Sequence, residues 1–142
     1  MTERNVVNGR KRDKRYKKRR PAAAKGKSPV FAAIDLGTTN CRLLIATPTP
    51  TGFSVKETFS RITRLGEGLV GNGVLSERAI KRTLSALRLC VKKLEKYKTV
   101  HARFVATEAC RRAKNGADFI ARVKRETGLD LEIISFEEEC RL

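Results

Sequence analysis

Residues that bind zinc or relay protons are scarce in this chain of 142 residues, which has one histidine, His101, and four cysteines. Cys41, Cys90, Cys110 and Cys140 are widely spaced and form no C-x-x-C pair, so neither a zinc site nor a disulfide framework is indicated. Reduced, mostly buried thiols are expected instead. His101 stands beside Thr99, Val100 and Ala102 just ahead of an apolar run, with no partner motif, and reads as a loop or strand-edge residue. No apolar run approaches the length that spans a bilayer, and the charged N-terminus lacks the hydrophobic segment of a secretory signal. A cytoplasmic protein with no membrane partner is expected. Acidic residues are also in short supply, 15 Asp and Glu against 32 Lys and Arg, for a net charge of +17.

That charge is unevenly spread. Residues 1–30 hold twelve Lys or Arg against Glu3 and Asp13, while residues 31–142 hold twenty against thirteen acids. The run from Arg10 to Arg20 has almost no apolar content, and Pro21, three alanines, Gly26 and Pro29 follow it. This is the composition of a disordered basic tail and linker, whose partners would be polyanions such as RNA. With hydrophobic residues making up 40% of the full 142, the chain has enough apolar material for one compact domain. The expected division is a tail over 1–30 and a domain over 31–142.

The domain opens with Phe31–Leu36, a buried strand, and Leu43–Ala46, its partner across a turn. Gly37 and Asn40, the residues most tolerant of positive φ, fall where the chain must reverse. After the turn cluster 48–52, Phe53–Phe59 alternates like a half-exposed strand. A glycine-rich connector over 65–73 leads to Ser76, a good N-cap, and a long helix reaching about Tyr97. Its apolar positions Ile80, Leu84, Leu87, Val91 and Leu94 share one stripe, which leaves Lys81, Arg82, Arg88, Lys92, Lys93 and Lys96 on a solvated surface. Ala102–Ala106 reads as a short buried strand with a helical turn from Thr107 at its end. Ala117–Thr127 reads as a second helix capped by Gly128, and Leu131–Ile134 as a last strand, with a helix starting at Ser135. The resulting α/β order is β-β-β-α-β-α-β(α), a mixed sheet with helices packed against it.

Ligands of open α/β sheets gather at the carboxyl ends of strands, so Asp35–Arg42, Thr107–Arg112 and Ser135–Arg141 are positioned to line one cleft. The first is a turn of Asp, Gly, Thr and Asn, which presents backbone N–H groups and two hydroxyls to phosphate, while Asp35 is placed to hold a metal ion or a water. The run Glu137–Glu138–Glu139 offers a general base, its pKa raised by like charges, or simply complements a helix dipole. Arg111 and Arg112, at what reads as a helix start, oppose the dipole there and suggest anion binding. Arg42 has the alternative of pairing with an acid across the hairpin.

Four segments together, Ala33–Ala46, Arg61–Leu69, Val105–Ala113 and Glu132–Leu142, resemble the exopolyphosphatase and guanosine pentaphosphate phosphohydrolase (Ppx/GppA) family. The resemblance covers residues 31–142. It implies one lobe of the actin-like ATPase (ribonuclease H-like) fold, which in the family has two lobes with the active site between them. It also implies hydrolysis of a terminal phosphoanhydride in inorganic polyphosphate or of the 5′ γ-phosphate of guanosine pentaphosphate, usually with Mg²⁺. Carried over by motif, Glu139 activates the attacking water, and Asp35, Gly37, Thr38, Thr39 and Asn40 form the first phosphate loop. Arg42 and Arg111 grip the phosphate chain. Family members continue beyond the catalytic Glu into a second lobe with another phosphate loop, and the full-length form is expected to be a homodimer. The 142 residues are therefore expected to be about one lobe, with little or no turnover alone. The competing expectation is a basic RNA- or ribosome-associated binding module on an inactive actin-like lobe. A chaperone or sugar kinase lobe fits the glutamate-rich segment less well.

Overall fold

The computed structural model describes residues 28–142, so the segment expected to form the disordered tail lies almost entirely outside the described residues. Three antiparallel strands, β1 (Val30–Leu36), β2 (Asn40–Thr49) and β3 (Gly52–Ile62), form a meander. To the other side of β1 lie β4 (Thr99–Ala106) and β5 (Glu132–Ile133), both parallel to it. The sheet order is β3-β2-β1-β4-β5. Five helices complete the domain: α1 (Leu69–Asn72), α2 (Glu77–Leu94), α3 (Glu108–Arg112), α4 (Gly116–Thr127) and α5 (Phe136–Arg141). This is the expected mixed sheet, parallel and antiparallel, with helices in its connections.

Strict alternation sets the two faces of the sheet. Ala32, Ile34 and Leu36 of β1, and Cys41, Leu43 and Ile45 of β2, point into the core. There they meet Ile80, Leu84 and Leu87 of α2 and Phe119 and Val123 of α4. Each of the large aliphatic side chains buried this way contributes about 1.5–3 kcal/mol. The intervening residues Phe31, Ala33, Asp35, Arg42 and Leu44 face the opposite side and are exposed. On α2, the expected Ser76 cap is present, its Oγ accepting from the Ala79 N–H at 3.2 Å. Gly128 closes α4 in the left-handed region at φ 76° and donates its N–H to Lys124 O.

Several elements differ from expectation. β2 begins at Asn40 and β3 runs to Ile62, because cross-strand pairing of Asn40 with Ile62 and of Arg42 with Asp35 and Ser60 carries the ladder up to the turn. Asn40 and Arg42 are therefore strand residues. The reversal needs no left-handed residue at Gly37 or Asn40; among the described residues positive φ occurs only at Arg64, Gly68, Gly73 and Gly128. The glycine-rich connector contains a short helix, α1, with left-handed Gly68 and Gly73 at its two ends. Helix α2 stops at Leu94 rather than near Tyr97. Only Glu132 and Ile133 pair as a strand in the expected 131–134 segment, and the next residue, the buried Ile134, still donates its N–H to Ala106 O at 3.1 Å.

Candidate active site

Three residues, Gly37, Thr38 and Thr39, connect β1 to β2. The Gly37 N–H closes the hairpin on Asn40 O at 2.9 Å. The turn's other carbonyls are taken up by the segment that follows β3. Gly66 N donates to Thr38 O at 3.0 Å, and Thr63 N and Arg64 N donate to Thr39 O at 2.8 and 2.9 Å. In a planar trans peptide the carbonyl and the next N–H point in opposite directions. Holding Thr38 O on Gly66 therefore aims the Thr39 N–H away from that segment. Among the described residues the Thr38 and Thr39 N–H groups have no partner, and both side chains are exposed. The expected display of donors thus exists without a left-handed nest, and at Thr39 the tether on the preceding carbonyl, Thr38 O, sets its direction. Segment 63–66 is the under-surface of the turn.

Beside this turn, β4 ends against β1. Thr107, 4% exposed, donates its N–H to Leu36 O at 3.1 Å, with Oγ1 at 3.4 Å from the same oxygen. Thr107 starts α3, which is only five residues long, so Arg111 and Arg112 fall in its last turn. Cations are favoured there, and the argument that their retention against the dipole signals anion binding does not apply. The two arginines diverge. Arg112 pairs with Glu108 at 2.9 Å on the surface. Arg111 turns back toward β5 and α5, donating to Ile134 O at 2.7 Å and to Glu139 Oε2 at 3.3 Å.

Tertiary contacts also separate the three glutamates at the start of α5, where Ser135 accepts from Glu138 N at 3.2 Å. Glu138 pairs with Arg103 of β4 and with Arg141, each at 3.1 Å. Glu139 pairs with Arg111. Glu137 is held below the ordinary carboxylate range by its own backbone N–H, then by Ser135 and the nearby Arg111 charge. At Glu137 the shift runs downward, opposite to the rise expected from like-charge crowding.

A cleft of about 660 Å³ lies on the outward face of the sheet, lined by Asp35, Arg42, Ser60, Arg103, Thr107 and Glu139 among others. Three of the sequence-predicted residues, Asp35, Arg42 and Glu139, thus share one cavity. Gly37, Thr38, Thr39 and Asn40 are outside its lining, with Gly37 beside Thr107, and Arg111 is outside it too, in contact with Glu139. Asp35 and Arg42 are direct cross-strand partners, yet no ion pair joins them among the described residues. Among the polar lining residues, Ser60 and Arg103 lie outside the segments that the sequence placed at the cleft, and Thr107 was placed there only as the first residue of Thr107–Arg112. The polar Thr directly after the apolar run Phe104–Ala106 was the available signal for Thr107, whereas nothing local marks Arg103. His101 is an exposed β4 residue stacked on Phe31 at 5.0 Å, away from the turn. No cluster of three or more His, Cys, Asp or Glu that could hold a metal occurs among the described residues. A hard cation at Asp35 would have one protein carboxylate and take its other oxygens from water and phosphate, a donor set that suits Mg²⁺.

Sequence and structure both connect this domain to known proteins. The model of the Ppx/GppA phosphatase family matches residues 44–142. A Ppx/GppA family protein of Aquifex aeolicus is 40% identical over 80% of this chain and 37% of its own, with a TM-score of 0.76. An exopolyphosphatase-like protein is 30% identical over 81% of this chain and 35% of its own, with a TM-score of 0.75. An exopolyphosphatase of Cytophaga hutchinsonii is 28% identical over 79% of this chain and 36% of its own, at 0.74. The chain thus spans little more than a third of the length of these solved relatives. Matched by the family model over most of its length and superposing on these structures, the chain belongs to the Ppx/GppA phosphatase family.

Proposed function

We propose that the cleft is one wall of a phosphoanhydride hydrolase site, which removes the terminal phosphate of inorganic polyphosphate or the 5′ γ-phosphate of guanosine pentaphosphate. The observation that carries the reading is the convergence of Glu139, oriented by Arg111 at 3.3 Å, with Asp35, Arg42 and Thr107 in one cavity beside a turn whose Thr38 and Thr39 N–H groups have no partner among the described residues. In this reading the Thr38 and Thr39 N–H groups and hydroxyls bind non-bridging phosphate oxygens. Arg42 offsets their charge from the strand. Glu139 accepts a proton from water as the new bond from that water's oxygen to phosphorus forms and the bridging P–O bond breaks. The bridging oxygen leaves with the shortened chain. Positioning and charge stabilisation are the main sources of rate in such chemistry. Mg²⁺, when bound, supplies further neutralisation of the phosphate oxygens, with Asp35 as its protein ligand. The facing wall comes from the second lobe of the family, so the 142 residues by themselves bind phosphate chains but turn them over little or not at all.

The test combines binding and release. Calorimetry measures the affinity of the chain for tripolyphosphate and guanosine pentaphosphate, and orthophosphate release is measured on a version extended through the second lobe. Glu139→Gln is expected to slow release by ~10²–10⁴-fold, the usual worth of a general base, while affinity changes little. Release that is unaltered in this variant refutes the assigned role.

A further inference from the structure

The segment beneath the phosphate turn is itself held from below by one side chain. Arg82 of α2 donates from Nε to Thr63 O, and from Nη2 to Arg64 O at 3.1 Å and to Glu67 Oε2 at 2.7 Å. Arg82 is only partly exposed, at 29% of its side chain, although the helix periodicity assigned it to the solvated basic surface. Its three acceptors flank the donors that hold the turn, since Thr63 N, Arg64 N and Gly66 N bind Thr39 O and Thr38 O. The path of this segment is not the one its residues would take unaided. Arg64 sits at φ 46°, the one non-glycine residue in the left-handed region among the described residues, a conformation that costs an L side chain energy and persists where surroundings impose it. Gly66 passes so close to Thr38 that a Cβ on it would lie 2.4 Å from Thr38 Cγ2.

From these contacts we infer that Arg82 is a positioning residue for phosphate binding: its guanidinium fixes segment 63–67, which fixes the carbonyls of Thr38 and Thr39 and so the course of the turn, aiming the Thr39 N–H, in the same peptide as Thr38 O, toward phosphate. The inference rests on the phosphate reading of the turn. A planar guanidinium reaches two carbonyls and a carboxylate at once, whereas an ammonium acts as a single point charge. Arg82 touches no phosphate in this scheme. Its effect is transmitted through backbone hydrogen bonds.

Two readouts on the full 142-residue chain test the assignment, in Arg82→Ala, Arg82→Lys and Glu67→Gln. The first is amide hydrogen exchange without ligand. Arg82→Ala is expected to speed exchange at Thr63, Arg64 and Gly66 by at least about tenfold while leaving Leu84 and Val123 unchanged, and Arg82→Lys is expected to fall between it and the wild type. The second is tripolyphosphate affinity, expected to fall about tenfold or more in Arg82→Ala and less than about threefold in Glu67→Gln, which keeps both carbonyl contacts. Unchanged exchange at Thr63, Arg64 and Gly66, or wild-type affinity in Arg82→Ala, overturns the role of Arg82. Uniformly faster exchange, including Leu84 and Val123, in both Arg82 variants also overturns it, because the residue would then serve the whole fold. Absence of tripolyphosphate binding to the wild type refutes the phosphate reading instead, and with it the functional half of the assignment, while the exchange data still decide whether Arg82 holds the turn.

Discussion

Three glycines near the site make different demands, and replacing each with alanine separates backbone necessity from functional necessity. Gly37 lies outside the left-handed region, and a Cβ built on it would meet nothing closer than Asn40 O at 3.6 Å and Thr107 Oγ1 at 4.0 Å. The fold therefore tolerates alanine there. Restricting the unfolded chain should make Gly37→Ala about 0.4–1 kcal/mol more stable, a rise of a few degrees in Tm. The added methyl nevertheless stands on the side of the turn that faces Thr107, where it narrows the approach of a phosphate, so tripolyphosphate affinity should drop about tenfold or more. Gly66→Ala places its Cβ 2.4 Å from Thr38 Cγ2, forces that side chain to move, and should cost about 1–3 kcal/mol. In Gly116→Ala the clash is 1.9 Å from the Cys110 carbonyl oxygen, backbone that cannot step aside, and a loss above about 3 kcal/mol is expected. Since the chain has no tryptophan, urea unfolding followed by far-ultraviolet circular dichroism measures the stabilities, and calorimetry measures binding. Gly37→Ala as destabilising as Gly116→Ala, or binding tripolyphosphate as well as the wild type does, would refute the reasoning.

Two further outcomes follow from the charges and thiols. Glu57, Glu67 and Glu126 are held below the ordinary carboxylate range chiefly by hydrogen bonds from Lys93, Arg82 and Arg122, and Glu137 by its own N–H. Depressed acids stabilise above the unfolded carboxylate pKa of ~4.3, and that contribution is lost as pH falls through their lower folded values. The urea midpoint should be flat from neutral pH to about 5 and then decline, less steeply in high salt, which already screens these exposed pairs; an equal midpoint at pH 3 and pH 7 contradicts this. Among the thiols, Cys140 is exposed while Cys41, Cys90 and Cys110 are buried. Burial pushes Cys110 up to about 12, and Cys41 is raised by its contact with Cys90 and then by burial. A disulfide reagent should label Cys140 promptly and the other three only on unfolding, and prompt labelling of a second cysteine in the native protein would count against the packing described.

The helices and strands were legible in the sequence because their causes are local: Ser76 as a cap, Gly128 as a terminator, and alternation in Ala32–Leu36 are read from neighbours a few residues away. The site was legible only to the resolution of whole segments. Composition could place Glu137, Glu138 and Glu139 at a helix start, but their roles are divided by Arg103 and Arg111, which come from β4 and α3 some thirty residues earlier. The same holds for the turn. Its Gly and Asn suggested a left-handed nest, a local explanation, whereas the carbonyls of Thr38 and Thr39 are held from Thr63, Arg64 and Gly66, a segment that Arg82 holds in turn. Helical periodicity put Arg82 among solvated cations, since periodicity reports which side of a helix meets the core and is blind to a loop laid across its flank. Thr107 was reached only as the first residue of a segment, for a related reason: a threonine after a strand is unremarkable until the strand beside it is known to end at the Gly37–Thr39 turn. In each case the missing information is a contact between segments far apart in sequence. The turn therefore depends on residues that never approach phosphate, and its chemistry should be as sensitive to the hydrogen bonds beneath it as to Thr38 and Thr39 themselves.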